Sequence, residues 1–265
     1  MHFSAQPPTA RCPFGLSPAT IERSVTLQET IVKAIVWGSA VLIAASSIQG
    51  QVTQAQDVTS PYPSMAPIER YRMARDAEIA MARTAAPASI SRDAQVLVLG
   101  QKNYEVAVEG KNGFVCLVGR AWTGPLSNPE FWNPKNRSPA CLNPPAARSV
   151  LPFYLKEAGM VLAGYSKTQI DDGIKSALAK KELGAPESGA MTYMLSKEAY
   201  LTDRGGHNLA HLMFELPSID AATWGADQTD SPIFSASFAP VPMIEFNVPM
   251  GQWSDGTDVN SPHTH

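Results

Sequence analysis

Along this chain the spacing of apolar positions shifts from helical to strand-like and back, and each shift marks an element. In "YEVAVE" (104–109), Tyr104, Val106 and Val108 alternate with Glu105, Ala107 and Glu109, which predicts a strand with one buried and one wetted face. "AQVLVL" (94–99) and "FVCLVGR" (114–120) flank it, joined to it by "GQKN" and "GKNG". Asn112 and Gly113 tolerate the positive φ of a tight hairpin turn, so the three runs are expected to form an antiparallel meander. Four more strand-like runs fill the last third: "AMTYML" (190–195), "HLMFEL" (211–216), "PIFSASF" (232–238) and "PMIEFNV" (242–248).

Helical spacing occupies the remaining segments. "APIERYRMARDAEIAMARTAAP" (66–87) is alanine-rich, opened by Pro67 and closed before Pro87, with Met73, Ala77, Ala80 and Met81 as its expected packing face. "ARSVLPFYLKEAGMVLAG" (147–164) continues the pattern. In "YSKTQIDDGIKSALAKKELG" (165–184), Ser166 and Gln169 form a capping-box pair, Ile170, Ile174 and Leu178 share one face, and Gly184 can close the end. Between these, "AWTGPLSNPEFWNPKNRSPACLNPP" (121–145) carries too many prolines for a helix or an interior strand, which predicts a long loop. The fold class that follows is α+β: an antiparallel sheet with helices packed mainly on one face, after an N-terminal signal or anchor segment.

That segment is the stretch following Lys33. "AIVWGSAVLIAASSIQGQVTQAQ" (34–56) has no charged side chain, and its apolar part, Ala34 to Ile48, matches a signal-peptide core better than a membrane span of ~20 residues. Cleavage is expected between residues 47 and 57; an uncleaved anchor is the other reading, and would be the chain's only membrane contact. Residues 1–33 then form a leader extension, 34–55 the core and cleavage region, 56–64 a linker, 65–252 a single α+β domain and 253–265 a disordered tail. The body is expected outside the cytoplasm: periplasmic, at the cell surface or secreted.

Export changes the reading of the cysteines. Cys12 falls in the leader, leaving Cys116 and Cys141, an even pair in an oxidising compartment and so a disulfide. A net charge of −3 without a basic patch excludes a nucleic-acid partner.

Candidate chemistry is sparse. His207 and His211 are the two histidines of the body, and on a helix they would face one metal ion with Glu215 as a third ligand. On a strand the same spacing holds the histidine side chains ~13 Å apart, too far to share an ion. Pro217 and the β-rich "HLMFE" favour the strand for His211. "GYSKT" (164–168) lacks the second glycine of a nucleophile elbow, and no GxGxxG or P-loop is present, so no cofactor is implied. Trp122, Phe131 and Trp132 on the proline-stiffened loop are the candidate ligand-binding residues, stacking on a small molecule or a protein partner; the alternative is that they simply cover the sheet.

Two blocks, "FWNPKNRSPACLNPPAARSVLPFYL" and "MTYMLSKEAYLTDRGG" with the following "HLMF", resemble an uncharacterised family of exported bacterial proteins. The resemblance implies no activity and assigns no functional residue. The sequence thus leads to an exported, non-enzymatic ligand-binding or interaction domain, with a metal-dependent or hydrolytic enzyme centred on His207 and His211 as the alternative.

Overall fold

The computed structural model describes residues 60–203 and 209–260, and the leader, His207 and the last five residues lie outside them. The described residues build one mixed eight-stranded sheet and five α-helices. In chain order these are α1 (Arg75–Arg83), α2 (Ala88–Ser91), β1 (Gln95–Leu99), β2 (Tyr104–Val108), β3 (Val115–Gly119), β4 (Ser138–Leu142), α3 (Pro144–Ser149), α4 (Leu151–Leu162), α5 (Lys167–Ala179), β5 (Met191–Met194), β6 (His211–Pro217), β7 (Phe234–Ser237) and β8 (Met243–Pro249). Across the sheet the order is β2-β1-β3-β4-β5-β6-β8-β7.

The first three strands correct the expected meander. β1 pairs antiparallel with β2 but parallel with β3, so the Asn112–Gly113 turn closes no hairpin. It carries the chain past the start of β1, where Asn112 Nδ2 donates to the Ile90 carbonyl (2.8 Å) and Lys111 N to that of Asp93 (2.8 Å). Burial explains the choice. Every residue of β3 is buried, which suits a central strand, whereas β2 exposes Glu105 and Val106 and suits an edge.

β4 is a second correction, an interior strand inside the proline-rich segment. Arg137 and Asn143 both direct their backbone groups away from β3, toward Tyr200 and Met191. Pro139 has the same parity, so its missing N–H falls on that side, where β5 reaches only Cys141 and Leu142. The proline therefore removes no ladder bond to β3. Directly opposite on β3, Cys116 faces Cys141 and the two form a disulfide, with 4.0 Å between their Cα atoms.

Helices cover both faces rather than mainly one. Leu97, Leu117 and Leu142 point into a core completed by Val150, Phe153, Val161, Ile170 and Ile174 of the α3–α5 layer. On the other face Val96, Cys116, Val118 and Cys141 meet Ala82, Ala85 and Ala86 at the end of α1. The α1 face differs from the expected one: Ala77 and Ala80 are exposed, and Glu78 and Ala82 are buried. The Ser166–Gln169 capping box opens α5 as expected, but Lys180 caps its end and Lys181 takes the left-handed conformation, well before Gly184.

Both ends of the expected domain are longer than the sequence suggested. Tyr62 packs partly buried against the core, so the last residues of the expected linker belong to the body. Trp253, placed at the start of a disordered tail, is buried against Leu195 and Ala210 in a turn closed by the Gln252–Asp258 bridge.

Candidate functional site

Strand parity places carboxyl groups where the sheet should be apolar. On β6, His211, Met213 and Glu215 share the buried face, and on β8 Met243, Glu245 and Asn247 do the same. The register sets Glu215 directly across from Glu245. Above them runs α4, which buries Tyr154 and Glu157. Each acid has a different set of partners. Glu215 Oε1 accepts from Thr192 Oγ1 (2.6 Å), while its Oε2 is buried without a partner. Glu245 Oε1 accepts from Asn247 Nδ2 (3.1 Å). Both oxygens of Glu157 are buried and unpartnered among the described residues.

Burial moves these groups in one direction. It pushes Glu245 up to about 7 despite the Asn247 hydrogen bond. Glu215 rises to about 8, chiefly through burial, opposed by Thr192 and helped by the neighbouring Glu245. Glu157 is driven well above the carboxylate range by burial alone, and Tyr154 is raised by burial and then by all three acids. No cation figures among the influences on the three carboxyls, so they rest protonated near neutral pH or slightly below it.

A cavity of about 190 Å³ opens beside Glu245 on this face of the sheet. Its floor is Leu117 and Gly119 of β3, Ser138 and Ala140 of β4, Met194, Met213 and Glu245; Tyr154 of α4 and the turn after β3 close it. A Cβ at Gly119 would come within 2.7 Å of Thr123 Oγ1, so glycine lets this turn fold tightly over the strand. The turn contributes its small and polar residues, among them Thr123, Gly124 and Asn128, to the wall. Most wall polar groups are already bonded: Thr123 to the Arg120 carbonyl, Asn136 to the Leu201 carbonyl and Ser138 to Asn136. The Tyr154 hydroxyl has no hydrogen-bond partner among the described residues, nor does Glu245 Oε2.

The sequence-derived ligand residues sit elsewhere. Trp122, Phe131 and Trp132 are all buried in the main core, Trp122 against Tyr71 (4.7 Å between ring centroids) and Phe131 edge-on to Trp132 (4.6 Å). Trp122 and Phe131 line neither this cavity nor the second, more open pocket between Tyr62, Met65 and Tyr165, which Trp132 alone of the three borders. His211 and Glu215 both lie on strand β6 with Met213 between them, which puts their side chains ~13 Å apart and rules out a shared ion. His211 is buried, its Nδ1 2.6 Å from the Leu209 carbonyl, and it does not line the cavity. Its burial lowers the imidazole below its ordinary range. His207 lies outside the described residues. The residues that sequence reasoning missed are Glu245 and Tyr154. A glutamate in the inward phase of "MIEFNV" was the available signal for the first.

No protein-family model, curated protein or solved structure matches this chain.

Proposed function

We propose that the protein is an exported, non-enzymatic domain that holds a small molecule in the cavity beside Glu245 and Tyr154. The supporting observation is the pairing of a partly open cavity with two polar groups, Glu245 Oε2 and the Tyr154 hydroxyl, that no hydrogen bond among the described residues satisfies. Both groups face the cavity and are free to bond a molecule that enters it, with the hydrophobic wall covering its apolar part. The space suits a small ligand: a cavity of about 150 Å³ accommodates benzene. Export is supported by the uncharged stretch after Lys33 and by the Cys116–Cys141 disulfide, a bond kept mainly in oxidising compartments. Among the described residues no helix is long and apolar enough to cross a membrane.

The test is a screen of fragments of about six to eight non-hydrogen atoms by ligand-observed NMR, a size set by the cavity. Ala236→Leu serves as a control, because Ala236 lines the cavity from the edge strand β7 and a larger side chain there would occupy it. Hits that bind the native protein and are lost in Ala236→Leu support the reading. Hits that bind both proteins equally, or an absence of hits, would overturn it.

A further inference from the structure

The wall chemistry of the cavity narrows what it can take. Its open polar groups are a carboxyl oxygen, a phenol hydroxyl and the Asn128 Nδ2, the Asn128 Oδ1 being taken by the Glu130 backbone N–H. Among the described residues no lysine lines it, and the one arginine there, Arg120, is already spent. The Arg120 guanidinium bonds Glu78 (2.9 Å), the Tyr71 carbonyl (2.7 Å) and the Val118 carbonyl. Nothing in the wall would therefore compensate an anionic ligand. Beside the polar groups, Leu117, Met194, Leu201, Met213 and Phe238 supply the apolar part of the lining.

Building on the ligand-binding reading above, we propose that the cavity selects a small organic monocation, an alkylammonium whose nitrogen bonds Glu245 Oε2 and the Tyr154 hydroxyl while its alkyl part lies against Met194, Met213 and Phe238. Glu245 is 6% exposed and Tyr154 4%, so both groups are held rigid and largely out of water, where a charge-assisted bond is strongest. The proton balance is simple. Glu245 gives up its carboxyl proton to solvent as the ammonium ion enters, and the charge buried is that of a neutral pair. The groups facing Glu245 do not interfere: Glu215 on β6 and Glu157 and Tyr154 on α4 are all raised toward their neutral forms, and β7 contributes no titratable side chain. Affinity should then rise with pH between about 5 and 8, with proton release on binding.

Isothermal titration with n-butylammonium, n-butanol and butyrate on the disulfide-bonded protein separates the outcomes. Saturable binding of butylammonium alone is expected, with an enthalpy that varies with the ionisation heat of the buffer. Glu245→Gln should weaken that binding about tenfold or more, and Tyr154→Phe by less. Butanol binding as tightly as butylammonium, or binding unchanged in Glu245→Gln, overturns the cation and leaves the ligand cavity standing. Failure of butylammonium to bind while screened fragments still occupy the cavity also overturns it. Should Glu245→Gln not fold, the pH dependence of butylammonium binding decides: a flat profile from 5 to 8 overturns the proposal.

Discussion

Glu215 on β6 and Glu245 on β8 stand directly opposite each other on the buried face of the sheet, two carboxyls with no cation to separate them. Their folded-state values of about 8 and about 7 lie above the usual 4.5, so the native state holds protons that the unfolded chain releases. Their contribution is complete below about 4.5 and is lost as pH rises through 7 to 8. Stability should thus fall over that window by a few kcal/mol, roughly 5–10 °C in Tm. Glu215→Gln, which keeps the shape and removes the titration, should flatten the profile. A Tm that is level or rising from pH 5 to 8 in the native protein would refute the assignment.

A further buried acid, on α1 over the other face of the sheet, has a cationic partner. Glu78 Oε1 accepts from both Arg120 Nη2 (2.9 Å) and the Leu99 backbone N–H (3.1 Å), tying α1 to the sheet and to the turn that walls the cavity. Glu78→Ala should destabilise the fold by about 3–5 kcal/mol in urea denaturation, because it strands a buried guanidinium. Replacing the whole pair by Met should cost much less. Equal losses in the two variants would mean that packing, not the unpaired charge, sets the cost.

Most strands were legible because one wetted face leaves an alternating pattern, as in β6; in β2 the expected buried face fails at Val106, which this edge strand leaves exposed beside Glu105. What a single run cannot carry is its neighbour. β3 is apolar on both faces, which says that it is central but not that β1 lies parallel beside it. β4 was hidden by Pro139, whose tolerance depends on where β5 ends. The cavity was hidden for a related reason. Glu215 reads as a metal ligand when paired in thought with His211, and as half of a carboxyl pair only once β8 is placed beside β6.

Asp203 ties the start of the described chain to the body. Its carboxylate accepts from the Tyr62 and Tyr200 hydroxyls and pairs with Lys135 (3.2 Å), and these bonds, Tyr200 first, hold it down to about 2. Asp203→Ala should release the segment around Tyr62 with little change in Tm, since exposed contacts of this kind contribute little to global stability. Faster limited proteolysis N-terminal to Met65 is the expected readout. Cleavage at the native rate would show that Met65 and Ala66, packed on the core, hold the segment by themselves.

The disulfide makes the last prediction. Cys116 and Cys141 sit across neighbouring strands, and their bond closes a loop of 25 residues that contains Trp122, Phe131, Trp132 and the cavity wall. The ends of that loop are held by the β3–β4 ladder, while its middle, residues 120–137, is held by turns and side-chain bonds, so the cross-link stabilises it chiefly by restricting the unfolded chain. Cys116→Ser with Cys141→Ser should lower stability by about 3 kcal/mol in the chain-entropy treatment. Because the bond joins strands that pair on both sides of it, the sheet itself should persist, and the loss should appear first around Trp122 and Trp132. Tryptophan fluorescence during urea unfolding of the double variant tests this: loop tryptophans are expected to change at lower urea than the far-ultraviolet circular dichroism of the sheet. Coincident transitions, with no loss of stability against the native protein, would mean that β3–β4 pairing alone fixes the loop.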